Sequence, residues 1–299
     1  MIRLVALDLD GTLLDGSGQV PPENLEALAD AARQGVHLVV VTGRSYPFAL
    51  QAVEALPDPL TLIAYNGAVA RVRGGGTLAV RHLAPGTARQ VLEATRPWRE
   101  STLMQFDRDG EGQTVFDRMS WEPPNRRGYY ERIRHLVRAV DELEAALDDD
   151  PPVQVAFNGG TRAMTDVVAA IAAVDVQHAI AVSVTSYPAR DFTLVDVNAA
   201  GATKGPALAD LARHLGVARD EVFAIGDNHN DVDMLRWAGT AVVMGNAEPD
   251  VLALGLPVTA PNTEAGVGWF ANLMAVNAYV DAGRANGAWR VHVRFGTGF

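Results

Sequence analysis

Asp8-Leu9-Asp10-Gly11-Thr12-Leu13-Leu14-Asp15 decides how this chain reads. The octet follows Ile2-Arg3-Leu4-Val5-Ala6-Leu7, a short, mostly apolar run of the kind that forms a buried parallel strand. Two carboxylates two residues apart therefore fall where a strand ends and a Gly-Thr turn begins. In open α/β sheets that carboxyl end is where ligands bind. Two like charges so close require a cation or a proton, because mutual repulsion otherwise raises one pKa. A lone Asp-x-Asp also suits an Asp-rich turn after an edge strand, so the rest of the chain must choose.

Three further segments end in the same way. Val36-His37-Leu38-Val39-Val40-Val41 runs into Thr42-Gly43-Arg44, placing a hydroxyl and a backbone-exposing glycine at a second strand end. Gly201-Ala202-Thr203-Lys204-Gly205 precedes a helical pattern carrying Leu208, Leu211 and Leu215, with Gly216 as its stop. Lys204 then stands in the first helical turn, where the dipole disfavours a cation; either an anion lies nearby or the side chain is in solvent. The segment is no P-loop, because the glycine and the Ser or Thr of G-x-x-x-x-G-K-[ST] are absent. Glu221-Val222-Phe223-Ala224-Ile225-Gly226-Asp227-Asn228-His229-Asn230-Asp231 gives a third strand ending in an acid. Carboxylates are the hard oxygen ligands that Mg²⁺ takes, while Asn230 and Asp231 suit either helix capping or outer contacts to a metal.

Taken together, the segments at 8–12, 42–44, 204 and 226–231 resemble haloacid-dehalogenase superfamily phosphatases, in the Cof-like branch with a large α/β cap of the C2B type. Tyr65-Asn66-Gly67-Ala68 and Val243-Met244-Gly245-Asn246-Ala247 add to the likeness, which spans about residues 1–275. The resemblance implies that Asp8 is the nucleophile that becomes an aspartyl-phosphate, and that Asp10 is the general acid/base. It implies that Asp8, Asp227 and the backbone carbonyl of Asp10 hold Mg²⁺, and that Thr42, Gly43 and Lys204 hold the phosphoryl group. Asn230 and Asp231 take outer positions that orient those groups, while Arg44 and Asn66 are substrate-side candidates. His229 varies in position-type within such families, and it is expected in solvent.

Composition narrows the function classes. At 299 residues the chain is long enough for two domains, and 48% hydrophobic with 20% charged content is ordinary for a globular protein. A net charge of −11 argues against nucleic acid or an anionic membrane as the main partner, and the expected partner is a small phosphate ester. The absence of cysteine excludes disulfides, thiolate metal sites and Cys nucleophiles. Asp8 arrives before a signal-peptide core could form, and the longest apolar run, 167–174, covers about a third of a membrane span. A soluble cytoplasmic enzyme, monomeric or homodimeric, is the expectation.

The expected fold is α/β: a Rossmann-like, doubly wound parallel sheet interrupted by an inserted α+β cap. The core takes 1–83 plus 190–280, the cap 84–189, and 281–299 is a C-terminal extension. Helices are expected near 22–34, 47–56, 86–95, 129–147 and 161–174, with a hairpin around Gly74-Gly75-Gly76 and strands at 153–157 and 181–186. Asp148-Asp149-Asp150 before Pro151-Pro152 reads as a solvated loop. Leu83–Gly86 and Pro188–Arg190 are the expected hinges. The alternation of Trp289, Val291, Val293 and Phe295 with Arg290, His292 and Arg294 suits an amphipathic strand.

The function these features imply is Mg²⁺-dependent hydrolysis of a small soluble phosphomonoester, with a sugar phosphate foremost. A phosphomutase on the same scaffold is the alternative enzyme. A phosphate-binding or signalling protein without turnover is the alternative class, and an insert of about a hundred residues argues against a receiver domain of about 120 in all.

Overall fold

The computed structural model describes residues 1–187, 190–268, 278–285 and 288–295. Five short strands open the chain: β1 (Leu4–Leu7), β2 (His37–Val41), β3 (Leu60–Ala64), β4 (Val69–Val72) and β5 (Thr77–Val80). Helix α1 (Pro22–Arg33) joins β1 to β2, and α2 (Tyr46–Ala52) joins β2 to β3. Each helix has a proline in its first turn, where the missing N–H costs nothing. After an insertion the chain returns through α6 (Lys204–His214), β12 (Val222–Gly226), α7 (Val232–Trp237) and β13 (Thr240–Val243). The sheet order is β13-β12-β1-β2-β3-β4-β5; the first five are parallel, and β4 and β5 are antiparallel, forming the expected glycine hairpin.

Its parallel strands are largely buried on both faces, which is why they read as continuous apolar runs instead of alternating ones. Leu28 of α1 and Ala49 of α2 cover one face, while Leu208 and Leu211 of α6 and Met234 of α7 cover the other. This is the doubly wound arrangement expected. Consecutive strands run one way from β1 to β2 and β3, and the later ones lie on its other side. The strand order therefore switches beside β1, where open α/β sheets form their crevice.

The insertion carries its own sheet and core. It contains α3 (Pro85–Ala94), β6 (Thr102–Gln105), β7 (Thr114–Phe116), α4 (Pro124–Ile133), β8 (Val137–Ala139), β9 (Gln154–Gly159), α5 (Thr161–Ala172), β10 (Ile180–Tyr187) and β11 (Phe192–Ala199). The sheet order is β10-β11-β9-β6-β7-β8, and Phe106, Phe157, Met164, Val195 and Val197 fill the space under the helices.

Two expectations need correction. The boundary at 189/190 falls between β10 and β11, which pair antiparallel along their whole length, from Ile180 opposite Ala199 to Tyr187 opposite Phe192. The inserted sheet therefore runs on to Ala199, and the return crossing lies at 200–203, not at the expected hinge. Pro188 and Ala189 lie outside the described residues. The helix expected over 129–147 is also replaced: α4 begins earlier, at Pro124, and stops at Ile133. Val137–Ala139 then pairs parallel with β7 as an edge strand, and Leu143–Leu147 forms a 3-10 turn. The β-branched Val137 prefers that half-buried pleated edge.

Asp148, Asp149 and Asp150 are exposed as expected, Asp148 meeting Arg89 and Asp150 meeting Arg108. The tail forms β14 (Ala278–Ala285) and β15 (Ala288–Phe295), which pair antiparallel with each other. No helix among the described residues is long and apolar enough to cross a membrane.

Candidate active site

Strands β12, β1 and β2 are neighbours, so the residues that follow them meet at one edge. Asp227 follows β12, Asp8 follows β1 and Thr42 follows β2. Asp8, Asp227 and Asp231 are buried, and each offers a carboxylate oxygen within 4.8 Å of the others. Lys204, in the first turn of α6, sends its ammonium between two of them, 2.6 Å from Asp8 Oδ1 and 2.6 Å from Asp231 Oδ1. At 1% exposure the lysine is held by anions and not by solvent, which decides between the two readings of its sequence position. It is also the chain's sole lysine.

The electrostatics follow from this packing. Burial alone would lower the Lys204 pKa, but the Asp231 and Asp8 charges and their hydrogen bonds overcome that and raise it, so the ammonium stays charged. Asp8 is pushed up by burial and by the Asp231 charge, with Lys204 opposing. Asp227 is pushed up by burial and by the charges of Asp8 and Asp231, with a Thr12 hydrogen bond opposing. Three buried carboxylates thus share one ammonium, an excess of negative charge that suits a divalent cation.

The oxygens differ in what they have to offer such an ion. Both oxygens of Asp231 are committed, Oδ1 to Lys204 and Oδ2 to the backbone N–H groups of Asp227 and Asn228 at 3.0 Å each. Asp8 and Asp227 each keep an uncommitted oxygen, so they fit a metal better than Asp231 does. Thr12 Oγ1 donates to Asp227 Oδ1 at 2.8 Å and fixes that carboxylate's rotation. Gly11, at φ +88°, lies so close beneath Asp227 that a Cβ there would collide with the carboxylate.

Asp10 stands apart from this cluster. Arg44 donates to both its oxygens, Nε to Oδ2 at 2.8 Å and Nη2 to Oδ1 at 2.6 Å, in a two-point fork. The Arg44 expected on the substrate side is thus occupied with Asp10. Thr42 Oγ1 accepts from the Arg44 backbone N–H at 3.1 Å, leaving its own O–H free to donate. Asn66, also expected on the substrate side, is fully buried. Asn230 Nδ2 donates to Asn66 Oδ1 at 3.0 Å. His229 is exposed as expected, with Nε2 3.6 Å from Asp250.

Over this edge lies a cavity of about 360 Å³. Asp8, Asp10, Thr42, Gly43 and Arg44 form its floor, and Leu103, Phe157, Tyr187, Phe192 and Asp196 of the inserted sheet form its opposite wall. Sequence reasoning singled out none of those wall residues. Burial and the charges of Asp10, Asp8 and Asp227 raise the Tyr187 phenol, so it remains a protonated donor facing the acids. A signal existed for Asp196: with Asn198 it places two polar residues at i, i+2 in a mostly apolar strand, on one face. Arg126 also lines the wall, but Asn158, Ser101 and the carbonyls of Glu100, Ser120 and Asn158 take its donors. It holds α4 in place.

Comparison with known proteins agrees with this geometry. The profile described as haloacid dehalogenase-like hydrolase matches residues 5–270. The chain is 30% identical over 288 residues to "Phosphatase YwpJ" of Bacillus subtilis, covering 89% of this chain and 97% of that one. It is 29% identical over 280 residues to "Pyridoxal phosphate phosphatase YbhA" of Escherichia coli, covering 90% and 97%. Among solved structures, the phosphatase BT1666 of Bacteroides thetaiotaomicron superposes with a TM-score of 0.74 at 25% identity, covering 91% and 94%. With the profile spanning both halves of the parallel sheet and the insertion between them, the chain belongs to the haloacid dehalogenase-like hydrolase family.

Proposed function

We propose that the protein hydrolyses a small phosphomonoester through an aspartyl-phosphate on Asp8. The observation that carries this reading is the Lys204 ammonium held between Asp8 and Asp231, with Asp227 alongside, beneath a cavity whose floor Asp8 forms. That floor can receive a phosphate dianion only where positive charge meets it. Mg²⁺ held by Asp8, Asp227 and the Asp10 backbone carbonyl would neutralise charge on the transferring group.

The chain's own residues do the rest. An Asp8 oxygen bonds to phosphorus as the ester P–O bond breaks. Lys204, the Thr42 hydroxyl and the Gly43 backbone N–H hold the phosphoryl oxygens. Asp10, released from Arg44 and having taken a proton from solvent, gives that proton to the departing alkoxide. It then takes a proton from the water that attacks phosphorus, freeing Asp8 and inorganic phosphate. The fork from Arg44 ties up both Asp10 oxygens, so the pair has to open in each cycle. The inserted sheet acts as a cap that supplies the opposite wall and excludes bulk water.

A sugar phosphate suits the amides of Gln105 and Asn158 on that wall. A second reading rests on the rings of Phe48, Phe157, Tyr187 and Phe192, which favour a planar heterocyclic ester such as the one in YbhA's name. A panel of sugar phosphates, pyridoxal phosphate and p-nitrophenyl phosphate separates the two. Hydrolysis is expected with Mg²⁺, to be much slower with Ca²⁺, whose looser coordination aligns Asp8 poorly, and to be absent in excess chelator. Undiminished release of phosphate in chelator contradicts the metal site, and no hydrolysis of any ester contradicts the function.

A further inference from the structure

The turn after β3 is gripped from the inserted sheet. Tyr65 and Asn66 take consecutive left-handed conformations, φ +50° and +54°, costly for residues other than glycine. Asn66 N donates to the Thr42 carbonyl at 2.9 Å. From β11, Asn198 Nδ2 donates to the Tyr65 carbonyl at 3.1 Å. Two residues earlier on the same face, Asp196 Oδ2 accepts from Asn66 Nδ2 at 2.8 Å. The other end of the Asn66 amide accepts from Asn230 Nδ2.

Asp196 has no cation beside it among the described residues. Burial pushes its carboxyl up to about 7, with the Asn66 hydrogen bond opposing. A buried anion met only by a neutral amide is a costly choice for holding two units together. Its particular chemistry is that an ionised carboxylate accepts and never donates. Facing one, the Asn66 amide must turn its NH₂ to Asp196 and its oxygen to Asn230. Asn230 must then spend its NH₂ on Asn66, which leaves its carbonyl oxygen for the cavity that Asn230 lines.

We propose that Asp196 is a positioning residue: through Asn66 it fixes the orientation of the Asn230 amide, so that Asn230 presents an acceptor to O–H donors at the phosphoryl site. The inserted sheet thereby sets a hydrogen-bond polarity on the core through Asn66, with no bond from Asp196 to Asn230 itself. This rests on the hydrolase reading above.

A double-mutant cycle on Asp196→Ala and Asn230→Ala tests it, with kcat/KM for p-nitrophenyl phosphate measured at pH 8, where the carboxyl is ionised. Each single variant is expected to lose about tenfold, and the double variant no more than the worse single one. In an Asn66→Ala background, Asp196→Ala should have no further effect. Losses that multiply to about a hundredfold would mean the two act independently and would overturn the relay. Exchange of roles provides rescue: Asn66→Asp with Asp196→Asn preserves both hydrogen bonds and should recover rate lost by either alone. A merely structural Asp196 would lower the melting temperature without that coupling. One readout needs no turnover. The side-chain amide NMR signals of Asn230 should move in Asp196→Ala, although the two residues are not bonded to each other. Unmoved signals overturn the proposal even if every ester in the panel is refused, an outcome that would by itself reject the hydrolase reading.

Discussion

Asp8→Asn is expected to lower turnover by about 10⁴-fold or more, the scale seen when a covalent nucleophile is removed. The fold should survive. The amide nearly matches the carboxylate in shape, and its oxygen can still accept from Lys204 at the 2.6 Å position. It also removes one of three carboxylates that share a single ammonium, so the metal-free protein should melt no lower than the parent. Circular dichroism melting and steady-state phosphate release check both halves. Parental turnover by a folded Asp8→Asn variant would remove Asp8 from its role.

Lys204→Met is expected to damage both activity and stability. It strips the counter-charge from Asp231, which is fully buried, and from Asp8, which is nearly so, and breaking a buried ion pair in this way costs about 3–5 kcal/mol. It also removes the only lysine available to a phosphate dianion, so kcat/KM should fall by about 10³-fold. Urea unfolding and kinetics measure the two effects. Lys204→Arg separates them: it retains the charge and more of the stability, but a planar fork cannot replace a compact ammonium wedged between two carboxylates. A Lys204→Met protein as stable and as active as the parent would contradict the arrangement.

The meeting of Asp8, Thr42 and Asp227 was legible because parallel strands convert sequence into place. Each of Asp8, Thr42 and Asp227 follows an apolar run, and β12, β1 and β2 lie side by side, so residues remote in sequence gather at one edge. The opposite wall was not legible, since it depends on which units face each other. Phe192–Ala199 stands just before the helix of Lys204 and reads locally as a core strand. Its pairing with β9 and β10 is antiparallel and assigns it to the inserted sheet. That misplacement hid Asp196, whose contact with Asn66 joins residues 130 positions apart. Arg44 was singled out as a substrate-side candidate, but spacing could not show that its fork reaches back to Asp10. In 129–147 a weakly patterned segment broke into a short helix, an edge strand and a 3-10 turn, as pairing with β7 outweighed local propensity.

The central claim is that phosphorus passes through Asp8, and trapping that bond tests it most directly. Protein turning over p-nitrophenyl phosphate with Mg²⁺ would be quenched in acid within milliseconds, reduced with borohydride and read by peptide mass spectrometry. The Asp10→Asn variant should raise the yield, because this leaving group needs no proton while the water step still needs a base. The mechanism requires that Asp8 be recovered as homoserine, the product of reducing an aspartyl-phosphate. Continued turnover with Asp8 unmodified, or with the adduct on Asp10 or Asp227 instead, would contradict it.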